Sequence, residues 1–244
     1  MLNTSAGLKV PQGHHGSRSD RPEKVTERRM TTASTGSSGF PDISISTERL
    51  VLRPLDEADV PAYAEMMNDE LVTAWTAVPQ PYTEADARAW ITEQAPAERA
   101  AGRGISLAVT EFLTQRLVGA VQLRRTDWRV RSSELSYVTA PWARGEGYAS
   151  EAALATAQWL FHDQKFERIE LRTAADNTAA QQVAQKIGCI SEGVLRGAWI
   201  ARVRNGGDPL GGWIDLRTDL IVWSLLPEDL EGVTEHLTAF SDWN

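Results

Sequence analysis

Apolar residues along this chain switch between a period of two and a helical period, and each switch marks the end of an element. Ile43-Ser44-Ile45 and Arg49-Leu50-Val51-Leu52-Arg53 alternate and predict strands, the second stopped by Pro54. Asp56-Glu57-Ala58-Asp59 opens a helix running to about Asn68, with carboxylates at the cap and the third position. Thr83-Glu84-Ala85-Asp86 caps a second helix reaching about Ala101, interrupted or restarted near Pro96 and closed by Gly102 and Gly104. Ile105 to Glu111 and Leu117 to Arg125 predict a hairpin around Leu113-Thr114-Gln115-Arg116. A strand over 133–138 stops at Pro141, and Ser150 to His162 reads as a helix. Next come a strand from Arg168 to Thr173 and a helix from about Thr178 to Ile187 that ends at Gly188. Ile190 to Leu195 and Asp215 to Leu226 predict the last strands, linked by a long loop containing Asn205-Gly206-Gly207-Asp208-Pro209. Glu228 to Phe240 has the pattern of a terminal amphipathic helix. The order predicts an α+β, three-layer fold: a mixed, mostly antiparallel sheet with helices on both faces.

Composition trims this picture at one end. Residues 1–42 are rich in Gly, Ser, Thr and charge, and cannot bury enough apolar area to offset their ordering entropy, so they are expected to be a disordered tail. Met30 is a candidate true start. Residues 43–244 are expected to form a single domain, which a 42% hydrophobic composition supports. The net charge of -8 argues against nucleic acid as a partner and suits cationic acceptors such as amines. No long apolar run or signal segment is visible, so a cytoplasmic protein without membrane contact is expected. One cysteine, Cys189, excludes an internal disulfide and a Cys-rich metal site; His14-His15 in the tail is a weak metal signal, and no metal is expected.

The chemistry gathers at Arg144-Gly145-Glu146-Gly147-Tyr148-Ala149, between a strand and a helix. Two glycines there leave main-chain N–H groups bare in front of the positive end of a helix, an arrangement that binds phosphate oxygens. The spacing fits neither a Gly-x-x-x-x-Gly-Lys-Ser/Thr nucleotide loop nor Gly-x-Gly-x-x-Gly.

It resembles the Gln/Arg-x-x-Gly-x-Gly/Ala loop of the GNAT superfamily of acyl-CoA-dependent N-acetyltransferases. The run from Asn177 to Cys189 is similar to the Asn-x-x-Ser-x-x-Val-x-x-Lys-x-Gly-Phe segment of its RimJ/RimL-like branch, and Asp219 to Leu226 to that branch's closing strand. The resemblance implies a sheet splayed between two parallel strands, here 133–138 and 168–173, with the pantetheine arm of acetyl-CoA in the gap. It places the diphosphate on the amides of 145–149, the thioester carbonyl at amides near Val138, and Asn177 on the pantetheine. It puts Leu71 to Trp75 beside the amine acceptor, so that Trp75, Ser136 and Asp219 are pocket candidates, Asp219 either anchoring the floor or bonding to an Arg such as Arg217. Glu134, on one strand face with Ser136 and Val138, is the candidate base; the plain alternative is a strand carboxylate paired with an Arg.

Two residues depart from the branch. Ala180 stands where it commonly has a Ser and cannot donate a proton to the leaving thiolate. Cys189 replaces Phe and has no His beside it, which suits a buried small apolar group better than a nucleophile. Trp75, Trp128, Trp142, Trp199 and Trp213 are expected in or beside loops. The expected activity is transfer of an acetyl group to a protein N-terminus or small amine. Succinyl or another acyl group, or CoA binding without turnover in a regulatory module, are the alternatives, and a homodimer is left open.

Overall fold

A computed structural model describes residues 39–205 and 212–230. The tail with His14, His15 and Met30, most of the expected 205–209 loop, and the expected terminal helix beyond Leu230 lie outside the described residues.

Strands β1 (Ile45–Ser46), β2 (Leu50–Pro54), β3 (Ile105–Glu111), β4 (Leu117–Asp127) and β5 (Ser132–Thr139) pair antiparallel in turn. β6 (Arg168–Ala174) lies parallel to β5, β8 (Trp213–Leu225) returns antiparallel beside β6, and β7 (Ile190–Arg204) forms the outer edge. The result is one eight-stranded sheet, mixed and mostly antiparallel as expected, in the order β1-β2-β3-β4-β5-β6-β8-β7. A parallel neighbour demands a crossover, and helix α5 (Tyr148–His162) provides it.

Local signals in the first half hold at residue level. Asp56 and Asp59 form a reciprocal capping box over a single 3₁₀ turn, and α1 (Val60–Met67) follows with Pro61 in its first turn, where no N–H is needed. Thr83 and Asp86 do the same for α3 (Glu84–Ala89). The interruption expected near Pro96 is a π-helical segment, Trp90–Gln94, after which α4 (Ala95–Ala100) restarts with that proline in its first turn.

Two expectations need correction. Leu71 to Trp75, between the two helices expected to end near Asn68 and to start at Thr83, is itself helical, in α2 (Glu70–Trp75), whose cap is Asp69. β7 runs on to Arg204 rather than stopping at Leu195, so Trp199 lies within a strand, while Trp213 opens β8 beside the connection. Bulges at Ser191/Gly193 and Leu195/Trp199 break the period-two alternation that a sequence reader relies on.

Leu50, Leu52, Leu107, Leu123, Leu135, Ile169, Leu171 and Leu225 on the strands are nearly or fully buried, against Met66, Leu160 and Ile187 from the helices. Each contributes about 1.5–3 kcal/mol of transfer free energy. Phe40 closes one end of this core, its ring 5.0 Å from Trp128, which stands 5.2 Å from Phe166. Among the described residues no helix is long and apolar enough to cross a membrane.

Candidate active site

β5 and β6 are paired only at Ser132↔Arg168, Ser133↔Ile169 and Glu134↔Glu170. Beyond that point β5 stays with β4 as far as Thr139, and β6 stays with β8 as far as Ala174. Each strand follows its outer neighbour, so a gap opens between 135–139 and 171–174.

The end of β5 leads through a 3₁₀ turn, Pro141–Ala143, into the glycine loop. Gly145 and Gly147 have φ of 86° and 78°, a region that penalises any side chain. Gly147 caps α5 without a side chain to fill the orphan donors, and no main-chain N–H from Gly145 to Ser150 has a partner among the described residues. Bare donors and the positive end of a fifteen-residue helix converge there. Arg144 turns to α2, where it pairs with Asp69. Arg49 reaches the loop from the turn before β2, donating from Nη1 to the Glu146 carbonyl at 3.1 Å, with its guanidinium 4.9 Å from the centre of the Tyr148 ring. Sequence reasoning missed Arg49, since nothing local links it to a loop almost a hundred residues on.

Asn177 caps α6 (Thr178–Lys186), its Oδ1 accepting the Ala180 N–H at 3.0 Å; its Nδ2 has no partner among the described residues. Across the gap, the Tyr137 hydroxyl lies 3.5 Å from the Ala180 carbonyl oxygen, and burial pushes its phenol well above the ordinary range. Val138 is half-buried on the part of β5 that pairs with β4 but not with β6 and, with Gly119, Ala120, Tyr137, Ala149 and Ala152, lines an apolar cavity of about 10 Å³. Ser136 is half-buried two residues back.

Glu134 sits at the last paired register, 3% exposed. Its Oε1 accepts from Arg124 Nε at 2.8 Å and its Oε2 from Arg125 Nη1 at 3.0 Å, while Arg172 Nε stands 3.6 Å from Oε2. Both oxygens are therefore committed to guanidinium groups.

Asp219 accepts the Gly197 N–H at 2.6 Å, and Arg217 donates to the Gly197 carbonyl at 2.7 Å, so the two side chains grip one bulge residue rather than each other. The Asp219 carbonyl takes the Ala175 N–H at 2.9 Å, tying β8 to the end of β6. Trp75 is half-buried at the end of α2, and the same helix is held to β7 by Glu70 and Arg204 at 2.6 Å. Burial, with Asp229 adding to it, pushes the Cys189 thiol up to about 12, as expected of a packed rather than a reactive sulfur. Among the described residues no cluster of His, Cys, Asp and Glu could hold a metal ion.

Comparison with known proteins fits this geometry. A family model described as an acetyltransferase (GNAT) domain matches residues 49–190, more than half of the chain. A curated relative, the uncharacterized N-acetyltransferase YoaA of Bacillus subtilis, is 26% identical over 152 residues, 62% of this chain and 85% of its own length. Among solved structures, the GNAT-family acetyltransferase from Bacillus anthracis aligns with a TM-score of 0.60 at 25% identity, covering 76% of this chain and 99% of that one. Mycobacterium smegmatis RimJ, in complex with CoA-disulfide, aligns with a TM-score of 0.65 at 18% identity, over 78% of this chain and 90% of its own. At that identity the likeness establishes the shared fold.

Proposed function

The chain belongs to the GNAT acetyltransferase family and is an acyl-CoA-dependent N-acyltransferase; on that premise we propose that it carries an acetyl group from acetyl-CoA to a primary amine by direct attack in a ternary complex. The strongest support is the pairing lost after Glu134 and Glu170, on a strand that runs straight into a loop of bare N–H groups. Such a gap accepts an extended, amide-bearing arm in the manner of an added strand, and such a loop accepts its diphosphate.

In this reading the amides of 145–149 hold the diphosphate, Asn177 Nδ2 donates to a pantetheine carbonyl, and the main-chain N–H near Val138 stabilises the oxyanion as the amine attacks the thioester carbon. The carbon–sulfur bond then breaks and the thiolate leaves. Ala180 offers it no proton, and a thiol with an ordinary pKa near 8.5 departs without one. The proton shed by the amine goes to water, because the Glu134 oxygens are engaged by Arg124 and Arg125; we assign Glu134 to holding the base of the gap.

Trp75, Ser136 and Asp219 remain our candidates for the acceptor pocket, and residues 43–244 our proposed single catalytic domain. The acceptor is a protein N-terminus or a small amine, met in the cytoplasm. A solved neighbour of the same fold, from Vibrio fischeri, bears the name ribosomal-protein-S5-alanine acetyltransferase, which is compatible with a protein acceptor. Ala180 favours one rival, a module that binds CoA without turnover. Incubation with acetyl-CoA and a panel of amines and N-terminal peptides, followed by thiol release, separates them: release with at least one acceptor is expected, and coenzyme binding with no release for any acceptor would sink the transferase reading.

A further inference from the structure

Three guanidinium groups converge on one carboxylate at the closed end of the gap. Glu134 is buried, and Arg124, Arg125 and Arg172 all stand within 3.6 Å of its oxygens. Arg124 is there by register, opposite Glu134 on the neighbouring strand. Arg125 should point away, because successive strand residues face opposite sides of a sheet. A register shift between Arg124 and Asp127, with Arg125 itself at a φ of 51°, turns it back onto the same carboxylate. That left-handed backbone is costly for a residue with a side chain. A buried carboxylate needs a cation to offset its lost hydration, and Arg124 alone supplies one. The strained Arg125 and the added Arg172 exceed that need.

The surplus is open to solvent: Arg124, Arg125 and Arg172 are all exposed. Arg172 also donates to Glu170 at 2.6 Å, and Arg168 bridges Glu170 and Glu192. Four guanidiniums thus face three carboxylates, leaving one positive charge in a chain whose net charge is -8. Nε and Nη2 of Arg125 and both Nη atoms of Arg172 have no hydrogen-bond partner among the described residues. Their place matters. Glu134 is the last residue of β5 paired with β6, Ser136 is the next on its strand face, and Arg172 lies on the first part of β6 that has left β5.

We propose that Arg125 and Arg172, with Arg124, form an anion subsite beside Ser136 that holds a carboxylate carried by the amine acceptor. The inference rests on the transferase reading above and names the class of its acceptor. That carboxylate is either the α-carboxylate of a free amino acid or an acidic side chain next to a peptide N-terminus. A guanidinium presents paired N–H groups that match the two oxygens of such a group.

Thiol release from acetyl-CoA with matched acceptors tests this: alanine against alaninamide, and a C-terminally amidated peptide opening Ser-Glu against one opening Ser-Gln. In the parent the acidic member of at least one pair is expected to have a kcat/KM about tenfold the higher, an advantage that shrinks as salt rises. The pair that shows it identifies the source of the carboxylate. Arg125→Gln and Arg172→Gln are each expected to cut that ratio about tenfold, a selective loss that damage to the fold, lowering both members alike, does not mimic. A parent that uses both members of both pairs equally overturns the proposal and leaves the transferase reading standing. Variants that lose both members in proportion also overturn it, by making the cluster a brace for Glu134 alone. No release with either pair, when other amines give release, overturns it as well; no release with any amine removes the transferase reading and the proposal together.

Discussion

Arg144, the first residue of the glycine loop, is ion-paired to Asp69, the cap of helix α2. Asp69 Oδ1 also accepts the N–H groups of Leu71 at 2.9 Å and Val72 at 3.2 Å, so one carboxylate closes a helix and anchors the loop. Burial alone would raise its pKa, but Arg144 and the two N–H groups outweigh that and hold it below the ordinary carboxylate range. A group depressed in the folded state stabilises it above the unfolded value, near 3.9, and loses that contribution as pH falls through the folded value. Asp69→Ala is expected to cost about 1–2 kcal/mol at pH 7, and the difference from the parent should narrow in urea melts run below pH 4.

Glu134→Gln separates a clamp from a base. The carboxylate is buried and its arginines are partly exposed, so removing its charge is expected to cost about 3 kcal/mol in unfolding free energy. The pH–rate profile of the remaining activity keeps its shape if the proton leaves through water. A variant as stable as the parent that lost the pH-dependent limb would reinstate Glu134 as the proton acceptor.

Gly145 and Gly147 invite a matched pair of substitutions. A side chain at Gly145 meets nothing within 4 Å, whereas one at Gly147 points between Arg49 and Lys186. Each alanine is expected to cost about 1–2 kcal/mol for its backbone conformation. Coenzyme affinity measured alongside thermal melting should fall further for Gly147→Ala than for Gly145→Ala.

Cys189 is expected to be silent toward a disulfide reagent at pH 8 in the folded protein and to react only after denaturation, since burial keeps the thiol protonated. Cys189→Ala should leave turnover unchanged; a large loss would mean that the sulfur takes part in the reaction.

Most strands, the helix caps and the loop could be read from the sequence because each rests on a local signal: alternation at Leu50 to Pro54, the capping box of Thr83 and Asp86, the glycines at 145 and 147. What escaped depended on pairing across distance. That Glu134 pairs with an Arg was one of the two readings open in the sequence; which arginines it meets, and its burial, follow from its register opposite Arg124 on β4 and from Arg172 on β6. Arg49 and Lys186 meet at Gly147 only once the sheet has formed. The full length of β7 was hidden by Gly193 and Gly197, whose bulges erase the alternation that would have announced it.

Three rungs join β5 to β6, and above them two inner borders stand open. An outer border of a sheet can recruit any number of strangers, one after another, and so risks aggregation. This one is roofed by a neighbour on each side, so it admits a single slender guest and then is full. Selection of that kind needs no particular side chain: the vacancy itself asks for something straight, thin and studded with amides. The chain thus gave up part of its own cohesion to keep a berth that only a molecule imitating a strand can complete.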